Sequence, residues 1–138
     1  MKPLVTFADA ERSMLNYLKP LWAARAEAYK PDTASNSFPG TLAAGQTHLQ
    51  VELDGTPTVE YPATERATVR FTFWSTAGAP DEAKLGAHIT QALVATHPGD
   101  SDVFSTVILT GPLKGQDSAT KNRFVSFTAR VTLRPTAL

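Results

Sequence analysis

The sequence predicts an α+β fold: a mostly antiparallel β-sheet with two amphipathic helices packed on one face. Three observations point there. Val125, Phe127, Ala129, Val131 and Leu133 alternate with Ser126, Thr128, Arg130, Thr132 and Arg134, the period-two pattern of a strand with one apolar face. Glu65–Ser75 repeats that pattern, with Ala67, Val69, Phe71 and Phe73 on one side. Two other segments carry apolar residues at the helical period of about 100° per residue.

The chain has 138 residues, 42% hydrophobic, with 13 basic and 13 acidic side chains and no cysteine. That length suits one domain, and a chain of this size buries roughly two-thirds of its unfolded surface, enough for one core without a metal or disulfide. The balanced charge removes any general attraction to nucleic acid or anionic lipid, leaving only local patches. Without cysteine there is no disulfide, thiolate chemistry or cysteine metal site. Met1–Phe7 lacks the apolar run of a signal peptide, and no window approaches the ~20 apolar residues of a membrane helix. A soluble protein made in the cytoplasm is expected.

In chain order, Thr6 and Asp9 have capping-box spacing. Phe7, Ala10, Met14, Leu18, Leu21 and Trp22 then share a face, so a helix is expected over Phe7–Ala28, with Pro20 on its polar side kinking or dividing it. Tyr29–Gly45 is rich in Pro, Gly, Ser and Thr and reads as a long loop. Its Phe38 and Leu42 either tuck onto the core or become ordered against a partner. Thr47–Leu53 alternates as a strand. Asp54-Gly55 marks a hairpin turn, from which Thr58–Tyr61 returns as an edge strand flanked by Pro57 and Pro62. Trp74 interrupts the polar face of Glu65–Ser75; it either covers the sheet end or belongs to an interface, where Trp is enriched.

A second helix is expected over Pro80–Thr96. Pro80 suits its first position, Asp81 and Glu82 suit its positive end, and Leu85, Ile89, Ala92 and Leu93 form a narrow stripe. Asp102–Thr110 is apolar on both faces, which suits a central or doubly covered strand. Gly111–Lys121 reads as a polar loop leading into the long strand Arg123–Leu133. Both long loops, 29–45 and 111–121, are expected to become ordered only on assembly.

The sequence holds no Gly-rich phosphate loop, no nucleophile elbow and no zinc-protease pair of histidines. His48, His88 and His97 are scattered, and no Ser or Thr is set beside a His and an Asp. No catalytic, cofactor-binding or metal site is therefore expected. Lys114, Lys121, Arg123, Arg130 and Arg134 form a basic cluster, read as a solvated face or as a contact for nucleic acid or an acidic partner.

The opening Val5-Thr6-Phe7-Ala8-Asp9-Ala10-Glu11-Arg12, followed by Leu15, Tyr17 and Leu18, resembles that of actinobacteriophage tail terminator proteins. So do the strand Glu65–Ser75, the Ala- and Leu-bearing helix Ala83–Leu93, and the closing hairpin with Gly111-Pro112 and Arg123–Pro135. The resemblance spans most of the chain. It implies a virion structural protein without enzymatic activity, located at the head-proximal end of a long non-contractile tail. Such proteins form a ring, typically hexameric, that stops tail-tube polymerisation. The implied partners are further copies of the chain, the major tail tube protein and the head connector, with DNA passing through the lumen. Candidate interface residues are Phe38, Leu42, Trp74, Lys114, Lys121 and Arg123. Another neck or tail-tube subunit, and a small-molecule-binding or enzymatic α+β domain, stay open as alternatives.

Overall fold

The computed structural model describes residues 4–25, 29–38, 40–60, 63–76 and 80–138. The elements in chain order are β1 (Val5–Thr6), α1 (Ala10–Ala23), β2 (Thr33–Ser35), β3 (Thr47–Leu53), β4 (Thr58–Glu60), β5 (Thr64–Ser75), α2 (Pro80–Ala95), β6 (Val103–Gln116), β7 (Arg123–Leu133) and β8 (Thr136–Ala137). The main sheet has the order β2-β3-β5-β7-β6, with β4 also pairing β5. β1 and β8 form a separate antiparallel pair. The expected α+β class holds. Every pair in the main sheet is antiparallel except β2 with β3.

The alternating strands put their apolar side chains on one face. Leu49 and Val51 of β3, Ala67, Val69, Phe71 and Phe73 of β5, and Val125 through Leu133 of β7 join one cluster with residues of both helices. Both helices therefore pack on the same face. The Phe71 and Phe127 rings stack at its centre, 4.8 Å apart, where their strands pair directly.

α1 is shorter than expected. Asp9 caps it, its carboxylate accepting from the Glu11 N–H at 2.9 Å and the Arg12 N–H at 3.3 Å. Thr6 is instead engaged in β1, opposite Thr136. A short carboxylate one residue before the helix satisfies its orphan amides directly. Pro20 does not divide the helix, which runs on to Ala23. Of the expected extension to Ala28, residues 26–28 lie outside the described residues.

α2 meets the sheet on another face than its leucines suggest. Ala83, Gly86, Ala87, Thr90 and Val94 are buried, whereas Leu85 and Ala92 are exposed. Small residues let the helix axis approach closely. A Cβ on Gly86 would stand 2.3 Å from the Phe73 ring, so the larger side chains are turned to the flank. The buried Thr90 hydroxyl donates to the Gly86 carbonyl at 2.7 Å.

The expected Asp54-Gly55 hairpin is a bulge. β3 and β4 both run antiparallel to β5 along its same side. The Asp54 N–H still donates to the Thr68 carbonyl at 2.8 Å. Between the pairs Leu53↔Val69 and Thr58↔Arg66, five steps on this side face three on β5. Gly55, at φ 99°, absorbs the surplus. The reversal falls later, where the Ala63 N–H donates to the Glu60 carbonyl. Tyr61 and Pro62 lie outside the described residues.

Two changes test this core. Phe127→Asp buries an unpaired carboxylate beside Phe71, costing several kcal/mol, comparable to a domain's whole stability; the variant is expected to unfold or aggregate, which circular dichroism reads. Gly86→Ala drives a methyl into the buried Phe73 ring and is expected to cost about 1–3 kcal/mol. An unchanged midpoint in urea would show that the helix can move away freely.

Candidate functional site: an assembly surface

Two surfaces differ from an ordinary solvated exterior. One is the sheet face opposite the helices at the Trp74 end. The other is the β6 edge.

The expected loop 29–45 is partly strand. The Asp32 carboxylate accepts from the Thr47 N–H at 2.9 Å, and the Asp32 N–H donates to the Thr47 carbonyl at 3.1 Å. This clamp sets β2 parallel to β3, with Thr33 opposite His48. The Thr33 hydroxyl and His48 Nδ1 are 2.6 Å apart, and Nε2 lies 3.2 Å from the Ser37 carbonyl. Parallel pairing between these segments leaves no turn signal in the sequence, so only the Thr and Ser of β2 hinted at a strand.

Beyond β2 the chain lies over the far sheet face. Phe38 meets the Trp74 ring edge-on at 4.7 Å, and Phe124 meets it from another side at 4.9 Å. The Trp74 indole N–H donates to Gln50 Oε1 at 3.0 Å. Trp74 is thus covered by its own chain, 6% exposed, while Phe38 keeps 47% of its surface in solvent. Leu42 is half-buried.

The expected loop 111–121 is largely strand. β6 stays paired to β7 until Gln116 meets Arg123, and the turn is confined to 117–122. Asp117 closes it, accepting from the Thr120 N–H at 2.8 Å and its hydroxyl at 2.6 Å. These bonds favour the charged carboxylate and hold the Asp117 pKa below its ordinary value. Lys121 takes φ 62°, the left-handed turn position. The pattern misled because Gly111 and Pro112 look like a turn but sit at one of three register shifts along β6.

Pairing across β6 and β7 brings Lys114, Lys121 and Arg123 to one end of the sheet. With Phe124 and Ala83, Lys114 and Arg123 rim a groove of about 280 Å³. The five basic residues are not one cluster. Arg130 stands midway along β7. Arg134 lies at the opposite end, donating to the Asp100 carbonyl at 2.8 Å and lying 5.0 Å from the Phe104 ring centre. Eleven strand residues separate the two ends, about 35 Å.

β6 was expected to be central or doubly covered. It is the terminal strand. β7 has its other side taken by β5, so β6 keeps one side open. Phe104, Val107, Leu109 and Leu113 are exposed along it, between 41% and 69%.

Among the described residues, no three His, Asp or Glu side chains come together as a metal site, and no helix is long and apolar enough to cross a membrane.

His97 is the buried titratable group of the helix side. Its ring packs on Tyr17 at 4.0 Å. Nδ1 accepts from the Gly99 N–H at 2.9 Å, which places the proton on Nε2, 3.6 Å from an Asp100 carboxylate oxygen.

No family model and no curated protein matches this sequence. Among solved structures, the fold matches a chain of the virion of a native gene transfer agent particle. The TM-score is 0.67 at 12% identity, over 92% of this chain and 99% of that one. At that identity the likeness is one of fold.

The histidines make stability pH-dependent. Burial lowers the His97 pKa below its ordinary 6.5, with Asp100 opposing. Burial also lowers that of His48, against the Ser37 carbonyl. A lowered folded value means that the unfolded chain takes up protons first. Stability is therefore complete above pH 6.5 and is lost as pH falls from there through the folded values. The melting temperature is expected to drop between pH 7.5 and 5.5. His97→Gln should flatten that slope, leaving a part from His48, and a wild-type melting temperature constant over this range would contradict the assignment.

Proposed function

We propose that the protein is a virion structural component, a tail terminator. In this reading it acts as one domain and assembles into a ring, a hexamer, on the head-proximal end of a long tail. The ring caps the tube of major tail protein, stops its polymerisation and presents a face to the head connector. DNA passes through the lumen without sequence-specific contacts. The role is structural, with no catalysis and no bound cofactor.

One observation carries this reading: nearly the whole chain shares its fold with nearly the whole of a virion chain. The resemblance of the opening, the central strand and the closing hairpin to tail terminators supports the narrower role. The surfaces are suited to it physically. A closed ring requires two unlike surfaces on each subunit. An open strand edge with exposed apolar residues is one form such a surface takes. Phe38, Leu42, Lys114, Lys121 and Arg123 are proposed as contacts to the tube or the connector, with Trp74 supporting Phe38 from beneath.

The test is assembly. Light scattering on the purified protein is expected to give six subunit masses, and negative-stain images are expected to show rings. Tails made without the protein should overgrow, and adding it should arrest them. A protein that polymerises alone into tubes is a tube subunit instead. One that leaves tail length unaffected but is needed for head attachment is a different neck component.

A further inference from the structure

We propose that β6 of one subunit joins the β4 edge of a second copy, so that the sheet continues from subunit to subunit; β3 itself is covered on its outer side by β2 and by the Glu11 carboxylate at the Leu53 amide. This rests on the ring reading above and specifies which two surfaces meet.

Strand direction comes first. β4 and β3 are antiparallel to β5, β5 to β7, and β7 to β6. The two edges of the sheet therefore run in opposite directions. Copies related by rotation about an axis along the strands keep these directions. β6 of one copy then meets β4 of the next as an antiparallel pair, with no reversal of either subunit. The contact is heterologous and repeats identically, which a ring requires.

Position along the strands agrees. β4 pairs with Thr64–Arg66 of β5; of these, Glu65 and Arg66 pair with Leu133 and Thr132 of β7, which in turn face Val103 and Ser105 of β6. Val59 is thus level with the start of β6. Asp54 bonds to Thr68, which pairs with Arg130, which pairs with Val107. Leu53 and Asp54 are level with Val107 and Arg130.

Both edges expose apolar side chains, Val59 and Leu53 on the helix-covered face of the sheet and Val107 on the other. β6 exposes Phe104, Val107 and Leu109, and the opposite edge exposes Val59 and Leu53. On the β4 side Asp54 and Glu60 are already bridged to Arg70 and Arg66 of β5, whereas Arg130, level with Asp54, stands on the β6 side without an ion pair among the described residues. Exposed pairs of this kind contribute little affinity but orient the approach.

The same edges explain why pairing stays limited. β6 has register shifts after Val103, after Ile108 and after Thr110, and Pro112 lacks an amide. Bulges and proline shorten the run that accepts a new strand. β4 offers three residues. A short ladder with apolar side chains at its centre gives a defined joint and suppresses open-ended aggregation.

The chain has no cysteine, so introduced thiols report alone. Val59→Cys and Phe104→Cys are made singly and together, both at exposed positions. The double variant, treated with an oxidant or a short bismaleimide, is expected to give a ladder of covalent multimers ending at the ring size. Each single variant is expected to stay monomeric on a denaturing gel. Circular dichroism confirms that each variant is folded. Dimers from Phe104→Cys alone would show an isologous β6–β6 contact and overturn the proposal. Rings by light scattering without a ladder from the double variant would overturn this joint and leave the virion reading standing. A wild-type protein that is monomeric at about 100 μM (a concentration well above typical assembly constants), together with no ladder from the double variant, would overturn both.

Discussion

The pairing of β5 with β7 is the constraint on which the other elements depend. Eleven consecutive residue pairs, from Glu65↔Leu133 to Ser75↔Arg123, hold two long strands in one register. Both alternate apolar and polar residues, except where Trp74 and Phe124 pair on the polar face. A slip of one residue would turn every apolar side chain of one strand to the wrong face. The Phe71–Phe127 stack and the flanking Val69–Ala129 and Phe73–Val125 pairs therefore hold the register, and the register defines one continuous apolar surface. Both helices and the outer strands attach to that surface.

The two helices use it differently. α1 brings large side chains, Met14, Leu18 and Trp22, down onto β3 and β5. α2 brings small ones and comes close, so that Phe73 fills the space under Gly86. Tyr17 ties the helices together, its hydroxyl donating to the Leu93 carbonyl at 2.6 Å. Large against small across one sheet is how a core reaches close packing without strain. The opposite face lacks helices and is treated unevenly. Near Trp74 it is closed by the chain after β2. Toward Arg66 and Arg130 it remains open to solvent.

That asymmetry connects fold to assembly. Central strands are saturated on both sides, and β3 is covered by β2 and by Glu11 at its Leu53 amide, so unused backbone pairing capacity sits at β6, β4 and the outer side of β2. A monomeric protein usually blunts such edges with charge, bulges or a covering segment. Here β6 has bulges but also an exposed row of Phe104, Val107, Leu109 and Leu113. Those apolar residues are unexplained by packing within the subunit, and the proposed joint would cover them with a neighbouring copy. The match in fold to a virion chain comes from overall shape. The edge argument comes from residues that shape alone does not specify, so the two lines of support are independent.

Much was legible in the sequence because it is local. Strand periodicity identified β3, β5 and β7 and the apolar faces of β5 and β7, and proline with two acids located the start of α2; periodicity did not show that Leu53 of β3 is exposed or that His48, Gln50, Thr72 and Thr128 on the polar side are buried. Other features were decided by partners far away in the chain. Whether β6 is central or terminal depends on β5 already occupying β7. Whether Asp54-Gly55 is a turn or a bulge depends on β5 offering enough length for both β3 and β4. β2 exists because Asp32 and Thr47 meet, and Trp74 is buried because Phe38 returns to it. The candidate residues follow the same division. Lys114, Lys121 and Arg123 were recognisable as basic residues near a turn, but their separation from Arg134 by the length of β7 was not. A one-dimensional pattern states which side of a strand is apolar. It carries no information on which strand lies beside it, since pairing energy depends on non-local contacts whose partners are chosen only when the whole sheet is assembled.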